Sequence, residues 1–112
     1  MTPNEYKKLA ARTLVDEPPT VVTQKEVMIL WNAIGAAGEA GELANTIKKG
    51  ILHRHGIDTE KLKEEIGDTL WYLAGLCTQF NFDLDEVMQI NIEKLRKRYP
   101  AGFSESDSIN RE

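Results

Sequence analysis

The sequence predicts an all-α fold of four-helix-bundle type that works as an oligomer, and three observations carry that prediction. Capping-box spacings recur at Thr2/Glu5, Thr23/Glu26 and Asp83/Glu86. Apolar residues recur at helical intervals, as in Leu62, Ile66, Leu70, Leu73, Cys77 and Phe80. No segment between turn signals alternates as a strand does.

The first helix is expected from Pro3, a residue suited to the first helical position, to Leu14, with Tyr6, Leu9 and Ala10 on one face. Pro18 and Pro19 make Val15 to Val22 an extended connection. A second helix opens at the Thr23 cap and is expected to reach Lys49, with Gly50 as its stop. Ile51 to Ile57 reads as a polar loop. Asp58 caps a third helix that Asn81 can end. A fourth follows from Asp83 to Tyr99, stopped by Pro100.

A chain of 112 residues has room for one domain. The expectation is a single all-α domain over 1–112, with its motif-bearing core at 24–100 and a Gly/Ser-rich, mobile tail at 101–112. With 41% hydrophobic and 29% charged residues the composition is that of a globular protein. So small a chain buries little of its surface alone, which favours self-association as a dimer or tetramer. The 18 acidic and 14 basic residues give a net charge of −4, which argues against a nucleic-acid or anionic-membrane surface. Cys77 is the single cysteine, so neither an intrachain disulfide nor a Cys-rich zinc site is possible. No secretory leader or membrane span is read, and the expected setting is the cytoplasm.

The second helix is apolar or small on nearly every side from Val27 to Ala44, the pattern of a buried helix. It nevertheless carries Glu39 and Glu42, one turn apart and therefore on the same side. Gly35, Gly38 and Gly41 recur beside them, each costing about 1 kcal/mol relative to alanine inside a helix. The third helix repeats the device in Glu65 and Asp68, which form one stripe with Tyr72 beside the Leu62/Ile66/Leu73 face.

A single Glu pair at i and i+3 is usually a solvated helix face. Two pairs on adjacent apolar helices are different. If those helices pack antiparallel, four carboxylates converge, and mutual repulsion in a partly buried cluster calls for a cation. An all-carboxylate set suits Mg²⁺, with Mn²⁺ as an alternative, since zinc normally recruits His or Cys. Mg²⁺ commonly completes its shell with water and substrate phosphates, so a phosphate-containing substrate is the natural inference. A ferritin-like di-iron site needs Glu-x-x-His pairs that these helices lack.

Gly38-Glu39-Ala40-Gly41-Glu42-Leu43 and Glu64-Glu65-Ile66-Gly67-Asp68-Thr69-Leu70, with Tyr72 one turn on, resemble the paired motifs of the MazG-like all-α nucleoside triphosphate pyrophosphohydrolases. The family pattern is EExxE followed by ExxD. This chain has Gly38 where the first Glu often stands, so one carboxylate of the pattern is absent. The resemblance covers Asn32 to Phe103.

It implies hydrolysis of an NTP or dNTP to the monophosphate and pyrophosphate, with Glu39, Glu42, Glu65 and Asp68 as Mg²⁺ ligands. Glu39 or Glu42 then orients or deprotonates the attacking water. Tyr72 resembles an aromatic beside the nucleotide, and the Asn91 to Phe103 stretch resembles a last helix that brings Asn91 and Lys94 to the substrate.

Other residues read more blandly. Lys48 and Lys49 suit a solvated helix end more than a phosphate contact, Trp31 a core more than a base stack, Trp71 a subunit interface or the underside of the N-terminal segment, and His53 and His55 a loop without an assigned role. Two rival readings stand beside the main one. One is a narrower dCTP or dUTP pyrophosphatase; the other is a non-catalytic helical dimerisation module.

Overall fold

Local capping chemistry decides where each helix begins. In the computed structural model, which describes residues 1–54 and 56–110, α1 (Pro3–Ala10) starts from Thr2, whose hydroxyl accepts the Glu5 N–H while the Glu5 carboxylate accepts the Thr2 N–H. The helix tightens into a 3₁₀ turn at Ala11–Thr13, so the segment expected to be one helix to Leu14 is an α-helix with a narrower last turn.

The second capping box is complete as well and opens α2 (Gln24–Leu52). Thr23 donates both its N–H (3.1 Å) and its hydroxyl (3.0 Å) to Oε1 of Glu26. Hydrogen bonding to the charged form holds the Glu26 carboxyl below its ordinary value, the backbone bond being the larger cause.

α2 runs past Gly50 to Leu52, three residues beyond the expected end. The glycine serves a different purpose. A Cβ on Gly50 would lie 2.7 Å from the Ile57 Cα, and the Gly50 carbonyl accepts the Gly56 N–H at 3.1 Å. The chain thus folds back tightly over its own helix end. Arg54 and Gly56 take positive φ values of 60° and 76° in that reversal.

α3 (Thr59–Phe80) starts from the Asp58 cap and ends where Asn81 adopts the left-handed conformation at φ 56°. α4 (Leu84–Arg98) follows at once, capped by the Asp83 side chain accepting from Asp85 rather than by a full box with Glu86. In the stretch expected to be a tail, Phe103 lies against Tyr99 with ring centroids 5.2 Å apart, and Ser104 caps a short α5 (Glu105–Ile109). Among the described residues there is no named strand, and no helix is long and apolar enough to cross a membrane.

Among the described residues, only α2 and α3 pack extensively together. Asn32 meets Gly75, Gly35 meets Tyr72, Thr46 meets Glu65 and Gly50 meets Ile57, so each step along α2 is matched by a step back along α3. That is an antiparallel hairpin. α1 and α4 stand away from it, and the radius of gyration is 20.2 Å where a compact domain of this length has about 13 Å.

The hairpin is built polar side in. Asn32, Thr46 and Glu65 are its buried polar residues, and among the described residues no hydrophobic side chain is buried. Trp31, Ile34 and Leu70 are 63%, 68% and 59% exposed, so the buried helix expected from the composition of α2 is not covered by this chain. The physical reason is that α1 and α4, the elements with apolar faces to offer, do not fold back over the hairpin.

Candidate functional site

The antiparallel register puts Glu39 of α2 level with Asp68 of α3, and Glu42 level with Glu65. Both pairs follow from the same stagger that joins Gly35 to Tyr72 and Asn32 to Gly75. The four carboxylates of the sequence reading therefore occupy two successive levels of one seam. Their burial differs. Glu65 is 5% exposed, Glu39 is half-buried, and Glu42 and Asp68 are exposed. Within one chain they are not drawn into a cluster: among the described residues no three His, Cys, Asp or Glu side chains are close enough to hold an ion together.

Glu65 is the fixed member of the set. Its Oε1 accepts the Thr46 hydroxyl at 2.8 Å across the seam, while its Oε2 is buried with no hydrogen-bond partner. A buried carboxylate oxygen without a protein partner is costly, and an ordered water or an ion can supply the missing partner. The donor chemistry fits a hard divalent cation. Oxygen atoms are the ligands Mg²⁺ and Mn²⁺ prefer, and Glu42, Glu39 and Asp68 lie within a turn or two on flexible, accessible side chains.

Tyr72 is held in place by a missing side chain. Its ring fills the space that a Cβ on Gly35 would take, and Trp71 meets it edge-on at 5.0 Å and 85°. The glycine is thus accounted for by the close approach of an aromatic ring. Gly75 does the same for the Asn32 amide, whose Nδ2 donates to the Met28 carbonyl at 2.8 Å. Gly38, Gly41 and Gly67 are different, because a Cβ at any of them would meet nothing within 4 Å.

Asn91 and Lys94 are exposed on α4, which has no extensive contact with the hairpin, so the chain alone does not bring them to the carboxylates. His53 closes the end of α2 through its backbone N–H to the Lys49 carbonyl, and His55 lies outside the described residues.

Sequence reading missed Thr46 and gave Asn32 no role, although a signal was present. Asn32, Glu39 and Thr46 follow one another at intervals of seven in a helix otherwise apolar or small, which places all three on a single seam. The buried polar positions were written in that spacing.

The model of the MazG nucleotide pyrophosphohydrolase domain matches residues 32–103, a span that contains both carboxylate pairs, Tyr72, Asn91 and Lys94. The chain is also 38% identical over 82 residues to the Gene 37 protein of Mycobacterium phage L5, covering 70% of this chain and 72% of that one. No solved structure matches. A match over most of the chain, centred on the seam where the carboxylates stand, shows that the protein belongs to the MazG nucleotide pyrophosphohydrolase domain family.

Proposed function

We propose that the protein is a Mg²⁺-dependent nucleoside triphosphate pyrophosphohydrolase that converts an NTP or dNTP to its monophosphate and pyrophosphate. The observation that carries this reading is the buried, unpartnered Oε2 of Glu65 in a seam that carries Glu42 at the same level and Glu39 and Asp68 at the next. Family membership gives the reaction class.

Glu39, Glu42, Glu65 and Asp68 hold Mg²⁺, with Mn²⁺ able to replace it. When bound, the ion offsets charge on the phosphate oxygens and makes a bound water more acidic. Glu39 or Glu42 orients the attacking water and accepts its proton; both are accessible enough to reach it. Tyr72, fixed against Gly35, offers its ring to the nucleotide. Asn91 donates hydrogen bonds and Lys94 places a cation at the phosphates once α4 is brought to the seam.

Self-association supplies that step. The exposed apolar residues of α2 line an open groove of about 430 Å³ formed by Val27, Leu30, Trp31, Ile34 and Gly35. α4 exposes Leu84, Val87, Met88 and Leu95. Covering both with a second copy, in a dimer or tetramer, buries apolar surface that one chain leaves in water and completes the nucleotide pocket. The setting is cytoplasmic, in keeping with Cys77 as a free thiol.

A screen of canonical nucleotides with Mg²⁺, reading both pyrophosphate and monophosphate, tests the activity. Turnover confined to dCTP or dUTP identifies the narrower enzyme. Absence of turnover together with no calorimetric binding of Mg²⁺ or a non-hydrolysable nucleotide at millimolar concentration leaves a dimerisation module.

A further inference from the structure

Threonines inside helices usually turn their hydroxyls back onto their own backbone. Two in α3 do so: Thr69 donates to the Glu65 carbonyl at 2.8 Å and Thr78 to the Ala74 carbonyl at 3.2 Å. Thr46 does not. Its hydroxyl crosses the seam to Glu65 Oε1, a residue 19 positions away, and both partners are buried, at 8% and 5% exposure.

The chemistry of that bond is specific. A threonine hydroxyl has one proton to give, so it ties one carboxylate oxygen and leaves the other free. A lysine or arginine at this position would neutralise the carboxylate and compete with a cation. An apolar residue would leave the side chain free to change rotamer. Thr46 leaves the charge in place and fixes the direction, with Oε2 buried and unpartnered.

Thr46 also belongs to the α2 stripe of the candidate site, one turn beyond Glu42 and two beyond Glu39. Glu39 is half-buried and Glu42 and Asp68 are exposed, so Glu65 is the one carboxylate of the four that is oriented before an ion arrives. We infer that Thr46 is a positioning residue: it pre-orients Glu65 for a divalent cation by holding Oε1 and leaving Oε2 for the ion. The inference rests on the metal-dependent reading above and adds to it a residue outside both carboxylate motifs. Partners of this kind, one bond removed from the metal, orient the ligands they touch and raise affinity by doing so.

The test is Mn²⁺ binding to the nucleotide-free protein, followed by the paramagnetic resonance signal of the free ion well below the unfolding temperature. Thr46→Val keeps the shape and removes the hydroxyl; Thr46→Ser keeps the hydroxyl. The expected result is about tenfold weaker Mn²⁺ binding for Thr46→Val and near-native binding for Thr46→Ser, with helix content unchanged. Should Thr46→Val fail to fold, Thr46→Ala gives the same comparison. Native Mn²⁺ affinity in the folded variant lacking the hydroxyl, whatever its melting temperature, overturns the positioning role and leaves the metal-dependent reading standing. Absence of Mn²⁺ binding by the unsubstituted protein at millimolar ion overturns that reading, and the inference falls with it.

Discussion

The ring of Tyr72 occupies the volume that any side chain on Gly35 would need, which locks α3 against α2 at a level one turn from Glu39 and Asp68. An aromatic ring expected at the nucleotide and a glycine expected to permit close approach are thus the two halves of one contact. The contact sets the stagger of the hairpin, and the stagger sets which carboxylates face each other.

Gly35→Ala follows directly from that relationship. The added methyl has to displace the Tyr72 ring, and overpacking of this kind costs about 1–3 kcal/mol despite the gain in helix propensity. Urea unfolding should show the loss. Gly38→Ala, introduced where nothing lies within 4 Å in the chain, should not show it below the concentration at which the protein self-associates.

Glu42→Gln and Glu65→Gln each remove a charge while keeping the shape of the side chain. Pyrophosphate release with Mg²⁺ should fall at least about 100-fold in both. The two should separate in stability. Glu42 is exposed and its change should leave the melting temperature unaltered, whereas Glu65 is buried against Thr46 and its change should move it.

Lys94→Met tests whether α4 reaches the substrate. Loss of a charge-assisted contact to phosphate should raise KM about tenfold or more. Helix content should stay constant, because Lys94 is exposed in α4. Mixing Lys94→Met with Glu42→Gln chains should recover activity if one copy supplies the helix and another the carboxylates; steady-state rates of the mixture against the separate variants decide it.

The Thr23 cap gives a pH dependence of known sign. Glu26 has a carboxyl held below its ordinary value in the folded chain by its bonds from Thr23. Its contribution is therefore complete above the unfolded value of about 4.3 and is lost as pH falls through the lower folded value. Glu26→Gln should lower stability near neutrality, where that contribution is complete, and flatten the profile below the unfolded value, so that the two proteins converge in acid. Thermal melts across an acid series measure this.

Most helix boundaries were legible because they depend on chemistry within four residues. Thr2, Thr23 and Asp58 cap as expected, Asp83 caps through the Asp85 N–H instead of the box its spacing with Glu86 suggests, and Asn81 ends α3. Gly50 misled because a glycine near a helix end looks like a stop, while here it clears space for Ile57 seven residues later in the returning chain. The carboxylate motifs were legible as pairs.

The direction of the seam was not, because a wheel of α3 sets Glu65 and Tyr72 beside an apolar face without saying which of the two meets α2. Small residues on both helices settle that choice. Gly35 admits the ring of Tyr72, Gly75 admits the Asn32 amide in return, and Thr46 gives Glu65 a donor. The apolar face is left to look outward.

That outward face has a consequence for handling the protein. With apolar side chains in water along α2, α3 and α4, the proposed assembly makes folding free energy a function of concentration, since mass action ties the stability of such chains to protomer supply. Dilution to the nanomolar range typical of enzyme assays then acts as a denaturant. Specific activity should climb with enzyme concentration before it levels off, and substrate, by bridging copies, should shift that plateau to lower concentration.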